Sequence, residues 1–150
     1  FSLMVASLIQ LTDKVLPGMR QRGWGRIITS TSSGVIAPIA NLALSNALRM
    51  SLLGWSKTLA NEVAAQGVTV NILVPGRIAT DRVSQLDTIK AKRENSSAAA
   101  VAEKSKQGIP AGRYGNPEEY GAAAAFLASQ QASYITGNIM RVDGGMIDAI

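Results

Sequence analysis

The stretch Gly67-Val68-Thr69-Val70-Asn71-Ile72-Leu73-Val74-Pro75-Gly76 decides the fold. From Val68 to Val74 it is apolar except at Thr69 and Asn71, and it is rich in β-branched side chains. An alternating pattern would have meant one wet face. A nearly continuous apolar run reads as a central parallel strand covered on both sides. Gly67 ends the helix before it, and Pro75-Gly76 breaks the strand after it.

Working outward, residues 38–65 read as a long helix. Its apolar stripe, Leu48, Leu52, Trp55, Leu59 and Val63, recurs at spacings of three and four. Ahead of it, Gly25-Arg26 leads into Ile27-Ile28-Thr29-Ser30-Thr31, a short β-branched run expected to be a buried strand. Ser32, Ser33 and Gly34 form the loop at its carboxyl end. Met4, Leu8, Leu11, Val15 and Met19 mark an opening helix, which Pro17-Gly18 should end or kink. The chain starts as if already inside that helix, so a piece of a longer protein is expected.

Downstream, residues 81–107 are polar, alanine-rich and only weakly amphipathic. Helices are expected at 82–93 and 97–106, forming a mobile lid with few anchors in a core. Pro117-Glu118-Glu119 opens another helix, with proline in the first turn and acids near the amino end. Asn138 to Val142 is the last strand, and Asp143-Gly144-Gly145 turns after it. Strands alternating with crossover-length helices define an α/β fold: a parallel sheet with helices on both faces. Ligands of such sheets lie beyond the carboxyl ends of the strands. The loops there are 32–41, 75–80 and 143–146.

Composition narrows the chemistry. The 150 residues are 47% hydrophobic and 17% charged, enough for a packed core and too little charge for a disordered chain. There is no cysteine and no histidine. That removes disulfides, thiolate metal sites and the usual general base. Any catalysis must run on Ser, Tyr, Lys, Arg or carboxylates. The longest apolar runs are too short to cross a bilayer, so a soluble, cytoplasmic protein without a membrane partner is expected. The net charge of +5 raises the question of nucleic acid, but the basic residues are spread along the chain. The densest group, Lys90, Lys92 and Arg93, reads as a solvated face, and no nucleic-acid partner is expected.

At the three loops the sequence resembles the short-chain dehydrogenase/reductase family. Gly25-Arg26-Ile27-Ile28 through Ser32 resembles its catalytic-serine strand. Pro75-Gly76-Arg77-Ile78-Ala79-Thr80 resembles its PGxIxT loop. Residues 109–119 (IPAGRYGNPEE) and 137–145 (GNIMRVDGG) resemble its closing segments. The branch most similar is that of the β-ketoacyl carrier-protein reductases. The resemblance implies the C-terminal part of a Rossmann-type doubly wound sheet, in which the N-terminal half with the glycine-rich dinucleotide loop is missing. It also implies hydride transfer between NAD or NADP and a small-molecule carbonyl or alcohol, and a homodimer or homotetramer paired through residues 1–20 and 40–65.

The family's catalytic set comprises a serine, a tyrosine, a lysine and an asparagine. Ser32 matches the serine. The tyrosine position, thirteen residues on, is Ser45, and the lysine position, four further, is Arg49. The asparagine position is Met4. Ser45 and Arg49 keep the i, i+4 relation on one helix face. Their proton chemistry differs from the family's: a serine hydroxyl is far less acidic than a phenol, and a guanidinium cannot act as a base. Arg49 remains a fixed positive charge for an alkoxide or a ribose hydroxyl. By the resemblance Pro75, Gly76, Ile78 and Thr80 contact the cofactor, with Thr80 also the N-cap of the lid helix. The altered set leaves a second expectation open, a catalytically silent nucleotide-binding sensor or assembly subunit. The strand at 26–31 is expected to present an unpaired apolar edge in this chain alone.

Overall fold

The structure is a computed structural model and describes residues 1–149. Three parallel strands, β1 (Gly25–Ser30), β2 (Val68–Pro75) and β3 (Ile139–Val142), lie in the order β1-β2-β3. The apolar stretch is the middle strand. Every β2 residue from Val68 to Val74 is buried.

Two layers of helix cover the sheet. The even-numbered side chains of β2 face α1 (Ser7–Gln21) and α2 (Ala43–Val63). Val68 and Val70 pack there with Leu16, Leu59 and Val63, and Ile72 and Val74 with Val35 and Ile147. On the other face Leu73 packs with Leu127 of α5 (Pro117–Ala128) and with Ala132. Burying side chains of this size stabilises by about 1.5–3 kcal/mol each. Asn71 is the polar exception inside β2. Its side chain donates to the Ile135 carbonyl (2.8 Å) and accepts from the Asn138 amide (3.1 Å), which holds the entry to β3 against β2. Both faces of the buried amide are thereby satisfied.

Three boundaries differ from the sequence expectation. α1 does not end at Pro17 but runs on to Gln21. Leu16 is buried and Met19 packs on the same cluster, so tertiary contacts hold the last turn despite the lost amide. α2 begins at Ala43, not at Pro38. Asn41 sits at φ 64°, which breaks the helical path, and the Asn46 side chain takes the Ile39 carbonyl at 2.9 Å. The chain opens with a π-helical turn, Ser2–Ala6, that contains Met4.

The polar segment forms α3 (Asp81–Arg93) and α4 (Ala98–Gln107), which pack on each other. Ser97 caps α4 through the Ala100 amide at 3.1 Å. Among the described residues no helix is long and apolar enough to cross a membrane.

Candidate functional site

The carboxyl ends of β1, β2 and β3 come together at one rim of the sheet. The Thr31 amide donates to the Leu73 carbonyl (3.0 Å), extending the β1–β2 pairing by one residue. The Gly76 amide donates to the Val142 carbonyl (2.9 Å), joining the β2 exit to the β3 exit. That approach requires glycine: a Cβ on Gly76 would lie 2.5 Å from the Asp143 Cα.

Ser32 follows β1 in extended conformation, φ −157° and ψ 152°, and caps a 3₁₀ turn over Ser33–Val35. Its Oγ accepts from the Gly34 amide at 3.2 Å. The bond fixes the oxygen and leaves the hydroxyl proton available to a ligand carbonyl. Arg49 reaches the same segment from α2, its Nη1 donating to the Thr31 carbonyl at 3.4 Å. The guanidinium and Ser32 are therefore held on adjacent residues of one loop. Ser45, half-buried, stands one turn earlier on α2. Thr31 Oγ1 is the buried side-chain polar atom without a hydrogen-bond partner among the described residues.

Met4 lies in the opening π-helical turn, where Phe1 O accepts from the Met4, Val5 and Ala6 amides. The thioether there offers no donor and only a weak acceptor.

Pro75, Gly76, Ile78 and Thr80 line one cavity of about 320 Å³, together with Val83 and Tyr120. Arg77 O and Ala79 N are taken up by Gly115 (2.9 and 2.8 Å), so the Ile78 amide and carbonyl point to the opposite side of the loop. Thr80 holds the N-cap position of α3, but its side chain makes no capping bond. The hydroxyl is instead 3.4 Å from the Ile78 carbonyl and exposed. A backbone donor and acceptor, an exposed hydroxyl and a glycine wall fit the carboxamide of a nicotinamide. A second cleft of about 520 Å³ lies between the loop after β1 and α3, and Gly76 borders both.

Two features of the rim had no local sequence signal. Tyr120 of α5 donates to the Leu73 carbonyl (3.2 Å), and its oxygen lies 2.7 Å from Ser30 Oγ. Burial raises the phenol's pKa and the Ser30 bond opposes part of that, so the hydroxyl stays protonated at neutral pH. Asp87 of α3, 4% exposed, is held by Arg77 Nη1 at 3.3 Å and by the Tyr114 hydroxyl at 2.8 Å. This triad ties the loop after β2 to α3 and to the segment before α5. Burial, ahead of the Asp87 bond, raises the Tyr114 pKa. Just beyond it, Arg113 clasps Glu119 through two bonds (2.8 and 2.6 Å). Arg113, together with the Asn116 amide, lowers the Glu119 carboxyl to about 2.

Three parallel strands covered by helices, with the loops at their carboxyl ends gathered at one rim, define an α/β architecture, and comparison with known proteins places the chain in a family. The chain belongs to the short-chain dehydrogenase/reductase family: a family model described as enoyl-(acyl carrier protein) reductase matches residues 1–147. It is 40% identical over 144 residues to the 3-oxoacyl-(acyl-carrier-protein) reductase FabG of Salmonella typhimurium, covering 95% of this chain and 54% of that protein. It is 39% identical over 150 residues to the NADPH-dependent reductase BacG of Bacillus subtilis, covering 100% and 58%. The crystal structure of YwfH, an NADPH-dependent reductase involved in bacilysin biosynthesis, superposes with a TM-score of 0.92 at 36% identity, covering 97% of this chain and 56% of that one. The chain thus spans little more than half the length of the proteins it matches.

Proposed function

We propose that this chain carries the catalytic rim of an NAD(P)-dependent oxidoreductase that interconverts a small carbonyl compound and its alcohol. The observation that supports this reading is the Arg49 hydrogen bond to the carbonyl of Thr31, the residue before Ser32. The relatives named as NADPH-dependent make NADPH the first cofactor to test, with NADH beside it.

The nicotinamide, when bound, supplies or takes up the hydride. Pro75, Gly76, Ile78 and Thr80 hold its carboxamide end. Ser32 donates to the carbonyl oxygen. Arg49 stabilises the negative charge that grows on that oxygen, or binds a ribose hydroxyl. The proton that completes the alcohol is relayed from solvent through the Ser45 hydroxyl or a water bound beside it, the hydroxyl taking up one proton as it gives another. α3 and α4 act as the substrate lid. The protein works in the cytoplasm as a homodimer or homotetramer.

The replacements at Met4, Ser45 and Arg49 support a second reading, a nucleotide-binding sensor or assembly subunit without turnover. The protein as encoded by its gene, mixed with NADPH or NADH and a panel of carbonyl compounds, separates the two. Cofactor oxidation supports the enzyme. Tight cofactor binding without oxidation of any panel member supports the sensor.

A further inference from the structure

The second cleft has a composition that the rim chemistry does not explain. Ile39 and Leu42 on one wall and Leu86 and Ile89 on the other are 39–46% exposed. Large apolar side chains left open around one concavity mark a binding site for an apolar body. Val83, Leu86, Lys90 and Arg93 follow each other along α3 at spacings of three and four, so one face of the helix lines the cleft. That face begins apolar, carries the buried Asp87 in its middle and ends with two cations.

The charges around them leave those cations available. The Arg77 charge is matched by the buried Asp87. Glu94 is 3.9 Å from Lys90, with both side chains 44% exposed, a weak pairing at high dielectric. Among the described residues Arg93 forms no salt bridge. Lys92, between them in sequence, does not line the cleft. All three read from sequence as a solvated face, and in the structure Lys90 and Arg93 line the cleft.

We propose that this cleft takes a carbonyl substrate with a carboxylate at the end remote from the reacting carbon: its apolar body lies against Leu42 and Leu86, and Lys90 and Arg93 hold the carboxylate. Gly76 and Ser33, which border the cleft, join it to the rim that carries Ser32. The guanidinium offers a planar two-point donor for a carboxylate, and the ammonium adds a point charge. The proposal rests on the oxidoreductase reading for the word substrate. The anion site itself stands or falls separately.

The test uses the protein as encoded by its gene and three probes: hexanoate, hexanamide and inorganic phosphate, titrated calorimetrically at low salt. Hexanoate is expected to bind about tenfold more tightly than hexanamide, an advantage lost in Lys90→Gln/Arg93→Gln and kept in Lys92→Gln. Equal affinity for acid and amide, or an advantage that survives the double substitution, overturns the anion site. Phosphate binding more tightly than hexanoate overturns the carboxylate assignment. In parallel, an oxo acid and its methyl ester are compared in NADPH oxidation. Preference for the acid that disappears in the double variant supports the proposal. Acid-selective binding without oxidation of any carbonyl compound leaves the anion site in place and sinks the oxidoreductase reading instead.

Discussion

Arg49 and Thr31 are joined by a 3.4 Å hydrogen bond from the guanidinium to the backbone carbonyl. Through it α2 is fastened to the end of β1, one residue before Ser32. A lysine at this position would present a single flexible ammonium. The arginine presents a fork, of which one nitrogen holds the loop and the others stay available to a ligand.

The Thr31 hydroxyl, buried and without a partner, is a liability in the folded chain. Thr31→Val keeps the shape and removes the unpaired group. It is expected to raise stability by about 1 kcal/mol, seen as a higher urea midpoint with unchanged slope. A loss of stability would show that the hydroxyl is paired in solution.

Gly76→Ala inserts a methyl where the Asp143 backbone already lies. The β2 and β3 exits must separate, at an expected cost of about 1–3 kcal/mol. Because Gly76 borders both cavities, cofactor affinity should fall as well. Calorimetric binding of NADPH to the variant checks this, and wild-type affinity with wild-type stability would count against the close approach.

Glu119 supplies the pH dependence. Its carboxyl is lowered from 4.5 to about 2, first by the Arg113 bonds and then by the Asn116 amide. A depressed carboxylate stabilises the fold above its unfolded pKa, and that contribution is lost as pH falls through the folded value. The start of α5 should therefore loosen between pH 4.5 and 2, with Glu119→Gln flattening the change. Amide exchange at Asn116 and at residues 118–120 reads it. Identical profiles for the two proteins would remove the clasp as the cause.

The sheet was legible because β2 is wet on neither face and its pattern says so. The Pro75–Thr80 loop was legible because proline and glycine end a strand by their own geometry, and all four residues assigned to it line one cavity. The start of α2 was missed because it depends on Asn46 reaching back seven residues to Ile39, a contact that outweighs the apolar pattern. The Arg77–Asp87–Tyr114 triad and the Ser30–Tyr120 pair bridge 10, 27 and 90 residues of sequence, and no local periodicity encodes such contacts. Lys90 and Arg93 resembled any helix C-terminus rich in cations. Only the cleft between α3 and the loop after β1, which Lys90 and Arg93 line and Lys92 does not, separates them.

On the proposed reading Ser32 and Arg49 act together at a site where Ser45 and Arg49 stand at the family's tyrosine and lysine positions. The most direct measurement is NADPH oxidation by the wild-type protein, Ser32→Ala and Arg49→Ala on the best carbonyl compound of a panel, with cofactor affinity determined for each. A site built on these two residues requires kcat to fall more than about tenfold in both variants, with NADPH still bound by Ser32→Ala. Unchanged turnover in both variants would contradict it.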